Sequence, residues 1–131
     1  MTDSKRLPDP SQLISRLPQG SAVIIRHETR EGKIDLIHKI KKLCAKHKVK
    51  LLISDDVSLA LSLRLDGVHL SEKTLKKTAL CGRFIKPKAQ FFVTSACHSI
   101  KALKWAEACM IDAVLISPVF ATKSHPDGRT L

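Results

Sequence analysis

The sequence predicts an α/β fold, a parallel sheet covered by helices, and three observations carry that prediction. Short apolar runs recur along the chain: Ala22-Val23-Ile24-Ile25, Leu51-Leu52-Ile53, Val68-His69-Leu70, Phe91-Phe92-Val93-Thr94 and Ala113-Val114-Leu115-Ile116. Continuous runs of this kind suit strands buried on both faces, as in parallel sheets. Between them lie stretches whose apolar residues fall three and four apart, the period of an amphipathic helix. Strand and helix then alternate without a break, which is the grammar of βα units.

Taken in order, the segment Met1 to Pro10 is polar and holds Pro8 and Pro10, so it reads as a loop. Ser11 to Leu17 reads as one short helix, capped by Ser11 and ended by Pro18-Gln19-Gly20. Ile34 to Lys48 places Leu36, Ile37, Ile40, Leu43, Cys44 and His47 on one helical stripe, with lysines between them. Ser54-Asp55-Asp56 closes the second strand, and either aspartate can cap an apolar helix over Val57 to Leu65. Asp66-Gly67 turns into the third strand, Glu72 to Leu80 reads as a helix, and Cys81 to Lys88 is a basic loop. Ser99 caps a helix reaching about Met110, with Ile100, Leu103, Ala106 and Met110 as its inner stripe. Asp112 leads into the fifth strand, and Ser117 to Leu131 is a polar loop.

Composition bounds the function classes. A chain of 131 residues, 44% hydrophobic, suits one domain with one core. Lys and Arg outnumber Asp and Glu by 23 to 12, a formal charge of +11 that attracts anions without choosing among phosphorylated metabolites, RNA and anionic lipid. Aromatic residues make up only 4%, leaving little to stack on bases, and no RNA-binding motif is present. Cys44, Cys81, Cys97 and Cys109 stand singly, without a C-x-x-C pair. With no signal peptide and no long apolar run, the expectation is a cytoplasmic chain with reduced thiols and no membrane contact. No G-x-G-x-x-G or P-loop follows any strand, so dinucleotide and NTP folds gain no support.

In parallel α/β sheets, sites form beyond the carboxyl ends of the strands. Those ends read Arg26-His27, Ser54-Asp55-Asp56, His69, Thr94-Ser95 with His98, and Ser117 through His125; the opposite ends begin with bland residues such as Ser21, Lys50 and Gln90. The guanidinium of Arg26 could meet a phosphate with a forked set of donors, or pair with a nearby carboxylate. Asp55 could hold Mg²⁺ as a hard oxygen ligand, and capping is the expected role of Asp56. His69 reads as a satisfied core histidine, whereas His98, in a loop before a helix, could act as acid or base or serve as a cap. Cys97 reads as a small buried thiol, not a nucleophile. His27, His69, His98 and His125 have no short-range zinc spacing.

Four segments resemble those of the thiamine phosphate synthase/TenI family. Ser54-Asp55-Asp56-Val57-Ser58-Leu59-Ala60-Leu61 followed by Asp66-Gly67-Val68-His69-Leu70 resembles "N-D-D-x-x-L-A … A-D-G-V-H-L". Thr94 through Ser99 resembles "S-x-H-S/T", and Asp112 through His125 resembles "A-D-Y-V-x-x-G-P-V-F-x-T-x-S/T-K". The resemblance implies a TIM barrel and a place in thiamine metabolism, with a phosphorylated thiazole or pyrimidine as ligand. One branch joins an aminopyrimidine pyrophosphate to a thiazole phosphate with Mg²⁺; the TenI branch aromatises a thiazole phosphate by moving a proton. On matching positions, Arg26 would contact pyrophosphate, Asp55 would bind Mg²⁺, Thr122 and Ser124 would contact phosphate, and His98 falls where the tautomerase branch keeps its catalytic histidine.

The chain departs from the synthase pattern at Ile24 and Glu28, where Gln and Lys flank the arginine, and at Ser54 in place of Asn. Thr74 stands for the second Mg²⁺-binding Asp, Ala96 for a Ser, and His125 for the lysine closing the phosphate loop. These departures favour the TenI-like branch; the alternative is an inactive, degenerate fragment that acts at most as a phosphate-ligand binding module. A whole barrel has eight strands and about 250 residues. The expectation is therefore a partial barrel of about five strands, the first strand vestigial at Met1-Thr2-Asp3 and the last two βα units missing, with open edges through which the chain could oligomerise.

Overall fold

The computed structural model describes residues 1–2, 6–7, 9–26, 29–82 and 86–120. Strands β1 (Ala22–Ile25), β2 (Lys50–Ser54), β3 (Gly67–Leu70), β4 (Phe92–Cys97) and β5 (Ala113–Ile116) alternate with helices α1 (Ser11–Ile14), α2 (Arg30–Lys46), α3 (Val57–Ser62), α4 (Glu72–Leu80) and α5 (Ile100–Ala108). The strands follow chain order in the sheet, β1-β2-β3-β4-β5. That order has no reversal, so it lacks the switch point of a doubly wound sheet and is that of a partial (β/α) barrel. All five expected strands are present.

The chain divides into two compact units, Met1–Val68 and His69–Leu131. In the first, β1 and β2 pair in parallel with Ala22 opposite Lys50 and Ile25 opposite Ile53. Helix α2 packs on both strands and α3 on β2. The core there is Val23, Ile24, Ile25, Leu36, Ile37, Ile40, Cys44 and Leu51 to Ile53, all buried. The outer edge of β1 is held by Thr2, whose N–H donates to the Ile24 carbonyl at 2.8 Å and whose Oγ1 accepts the Arg26 N–H at 2.9 Å. In the second unit, β4 and β5 pair in parallel from Thr94–Ala113 to Cys97–Ile116, and α4 and α5 pack on β4 and on each other.

Two devices recur. Asp66, just ahead of β3, donates its N–H to the Leu51 carbonyl at 3.1 Å and accepts the Leu51 N–H on Oδ2 at 2.7 Å. Asp112, just ahead of β5, repeats this with Val93 at 2.9 and 2.8 Å. Each aspartate thus satisfies both backbone groups of one residue where the preceding strand of its unit begins, which fixes where the next strand starts. The second device ends helices. After α2, α3 and α5 the residues Lys48, Arg64 and Met110 take left-handed φ of 55, 51 and 53°. The following N–H groups of Val49, Leu65 and Ile111 reach back to the Cys44, Ala60 and Ala106 carbonyls at 2.9, 2.8 and 3.0 Å. These are Schellman closures built without the usual glycine.

Several expectations shift at the edges of elements. Helix α2 starts a turn early because Thr29 caps it, its side chain accepting the Gly32 N–H at 3.1 Å. Ser11 lies inside α1 instead of capping it; Asp9 Oδ1 accepts its N–H at 2.9 Å. Strand β4 runs on through Ser95 to Cys97, because Thr94 to Cys97 all find partners in β5. In α5 the buried stripe is Ala102, Ala106 and Cys109, while Ile100 and Met110 face outward, since the close approach of α4 and β4 admits only small side chains. No helix among the described residues is long and apolar enough to cross a membrane. All four cysteines are free thiols.

Candidate functional site

The carboxyl ends of the strands carry polar and charged side chains in each unit. In the first, exposed Arg26 follows β1 directly, and its guanidinium makes no ion pair among the described residues, so its donors remain open to an anion. Asp55 follows β2 in a left-handed conformation at φ 57°. Asp56 takes the capping role: Oδ1 accepts the Leu59 N–H at 2.8 Å and Oδ2 lies 3.8 Å from Arg30 Nε. Lys33, from the first turns of α2, donates from Nζ to the Ser54 carbonyl at 3.2 Å. That ammonium at the end of β2 escaped the sequence reading, which starts the helix at Ile34 and gives Lys33 no element.

The second unit builds around His98, which leaves β4 exposed to solvent. Its Nδ1–H donates to the Ser117 carbonyl beyond β5, with Ser117 Oγ 3.3 Å away. A carbonyl cannot donate, so Nδ1 carries the hydrogen of this bond, and in a neutral ring the lone pair lies on Nε2. Glu72, the first residue of α4, clamps the same turn: Oε2 accepts the His98 N–H and Oε1 accepts the Ser99 hydroxyl at 3.2 Å. Ser99 in turn caps α5 by accepting the Ala102 N–H at 3.1 Å. Glu72 and Ser117 therefore hold the imidazole from its backbone and its ring. Nothing in the local pattern marks Glu72, because an acid in the first turn of a helix is ordinary.

Behind this turn the strand is polar yet buried. His69 is 4% exposed, and its Nδ1 lies 2.8 Å from Thr94 Oγ1, the satisfied core histidine that the sequence suggests. Ser95 Oγ lies 3.6 Å from Cys97 Sγ. Burial pushes the Cys97 thiol up, a contact with Ser95 works against this, and the Glu72 charge adds to it. A thiol held protonated in this way is no nucleophile.

The donor set does not form a Mg²⁺ site by itself. No three His, Cys, Asp or Glu side chains gather among the described residues. Asp56 is committed to Leu59 and Arg30, and Thr74 accepts no metal-like role: its N–H donates to the cap Ser71 Oγ at 3.3 Å. Thr122, Ser124, His125 and His27 lie outside the described residues.

The family model described as Thiamine monophosphate synthase matches residues 4–131. The thiamine-phosphate synthase of Pelagibacter ubique is 37% identical over 101 residues, 76% of this chain and 47% of that protein. Those of Listeria monocytogenes and Bacillus cereus are 31% identical over 106 residues and 25% over 130, covering 78% and 94% of this chain and 47% and 58% of their own. The chain spans about half the length of the curated relatives it matches. With the strand order and the matched segments, these findings make the chain a member of the thiamine monophosphate synthase family.

Proposed function

We propose that this chain acts on a phosphorylated thiazole as a TenI-like tautomerase rather than as a synthase that releases pyrophosphate. The observation that carries the reading is the imidazole of His98, whose Nδ1–H is tied to the Ser117 carbonyl and whose Nε2 keeps a lone pair. A base fixed in one tautomer can take a proton from a bound ring and return one to it without a metal. Arg26, with Thr122 and Ser124, would hold the phosphate, and Lys33 adds a cation near Ser54. Asp55 is the single carboxylate at a matching Mg²⁺ position; one carboxylate holds Mg²⁺ weakly without substrate phosphates, so no step is assigned to the metal.

Calorimetry with thiazole phosphate tests the site. Binding is expected, and Arg26→Ala with Thr122→Ala should weaken it about tenfold or more. Affinity unchanged in that double variant would refute the assignment. Binding without turnover would support the alternative, an inactive phosphate-binding module. Affinity that instead grew with RNA length and fell steeply with salt would transfer the basic surface to nucleic acid.

A further inference from the structure

The first unit also has a cavity at the opposite ends of its strands from Arg26 and Asp55, where α2 and α3 hand the chain back to strands. It is an open pocket of about 360 Å³ lined by exposed Lys41, Lys48, Lys50, Arg64 and Asp66 and the buried Cys44, among others. Four cations thus face one carboxylate, and that carboxylate is turned to the backbone, accepting the Leu51 N–H on Oδ2 at 2.7 Å. Lys48 and Arg64 make no ion pair among the described residues.

Cations beside helix carboxyl ends ordinarily offset the partial negative charge of unpaired carbonyls. That need is met here by other groups. The Schellman bonds from Lys48, Val49, Arg64 and Leu65 satisfy the Ala45, Cys44, Leu61 and Ala60 carbonyls, and Lys41 Nζ donates to the Leu63 carbonyl at 2.6 Å. Lys48 and Arg64 are therefore surplus to capping. They also occupy left-handed backbone, at φ 55 and 51°, where glycine would be the low-energy choice. Met110 makes the same closure without charge, so the backbone does not require a cation at Lys48 or Arg64, and two cations lining one pocket favour an anion.

We propose that this cavity is a second, non-catalytic site that binds a polyphosphate group, with Lys48 and Arg64 as its principal contacts and Lys41 and Lys50 adding charge. The proposal does not rest on the tautomerase reading, since none of these residues lies at the carboxyl ends of the strands.

The test uses the whole chain and inorganic triphosphate as the probe, followed by calorimetry and by thermal melting. Lys48→Gly with Arg64→Gly should weaken binding about tenfold while raising the melting midpoint by about 4 °C, because glycine relieves both left-handed residues. A purely structural role for the two cations would lower the midpoint. The charge-matched pair Lys73→Ala with Lys77→Ala, on exposed α4 positions, should leave binding within about twofold. No triphosphate binding to the unaltered chain, binding that survives the double glycine change, or an equal loss in that control would overturn the proposal.

Discussion

Strands β1 and β5 have almost the same sequence, Ala-Val-Ile-Ile and Ala-Val-Leu-Ile, and opposite surroundings. In β1 the last three residues are buried and Ile25 is 0% exposed; in β5 all four are exposed and Ile116 is 44% exposed. The difference lies in what flanks each strand. β1 has β2 on one side, Thr2 on the other, and α2 packed over it. β5 stands last in the strand order with β4 as its neighbour, and Val119 and Phe120 beyond it are also exposed. An apolar run thus specifies a strand, while neighbouring elements decide whether that strand contributes a core.

The largest expected effect separates the two strands directly. Ile25→Ala should cost about 2–5 kcal/mol in denaturant unfolding, whereas Ile116→Ala should cost under about 1 kcal/mol. Equal losses would mean that β5 is covered in solution. Next, the strand-starting aspartates should matter in both units: Asp66→Ala or Asp112→Ala leaves a backbone N–H unpaired and should cost about 1–3 kcal/mol. Asp112 also loses its ion pair with Lys86.

β5, exposed and with β4 alone beside it among the described residues, should also show in association. An apolar edge strand lacking lysine or proline is a template for pairing, so the chain should self-associate. Val114→Lys with Ile116→Lys, alternate residues of one face, should weaken association about tenfold by sedimentation and leave unfolding little changed. A monomer at every concentration of the unaltered chain would remove this edge as an interface.

The smallest effect is one of pH. Burial, with Asp66 as the second cause, pushes the Cys44 thiol from 9.0 up to about 11. The folded chain then holds that proton more tightly than the unfolded chain, so this contribution is complete below pH 9.0 and fades as pH rises through about 11. Cys44→Ala should flatten the alkaline decline between pH 9.0 and about 11, measured as unfolding free energy against pH.

Strand positions were legible because apolar runs and helical spacing are local signals, while the barrel order of the strands came from the family resemblance. The extension of β4 through Ser95 to Cys97 was not, since small polar residues read as a loop until β5 supplies their partners. The stripe of α5 was misread for a related reason: Ile100 and Met110 are the larger apolar residues, but only Ala102, Ala106 and Cys109 fit at the packed face. The placement of His98 just after a strand was legible. Its support by Glu72 and Ser117 was not, because those residues lie 26 and 19 positions away in the chain. The cationic cavity was hidden by treating Lys50 and its neighbours as a bland strand start.

Proton transfer at His98 without a metal can be followed as thiazole phosphate tautomerisation by NMR in deuterated water. The chain should incorporate solvent deuterium into the ring at the same rate with Mg²⁺ or with EDTA, and His98→Asn should lower that rate by about a hundredfold or more while leaving phosphate binding intact. Robust Mg²⁺-dependent release of pyrophosphate from a pyrimidine pyrophosphate and thiazole phosphate, or tautomerisation that survives His98→Asn, would contradict the account.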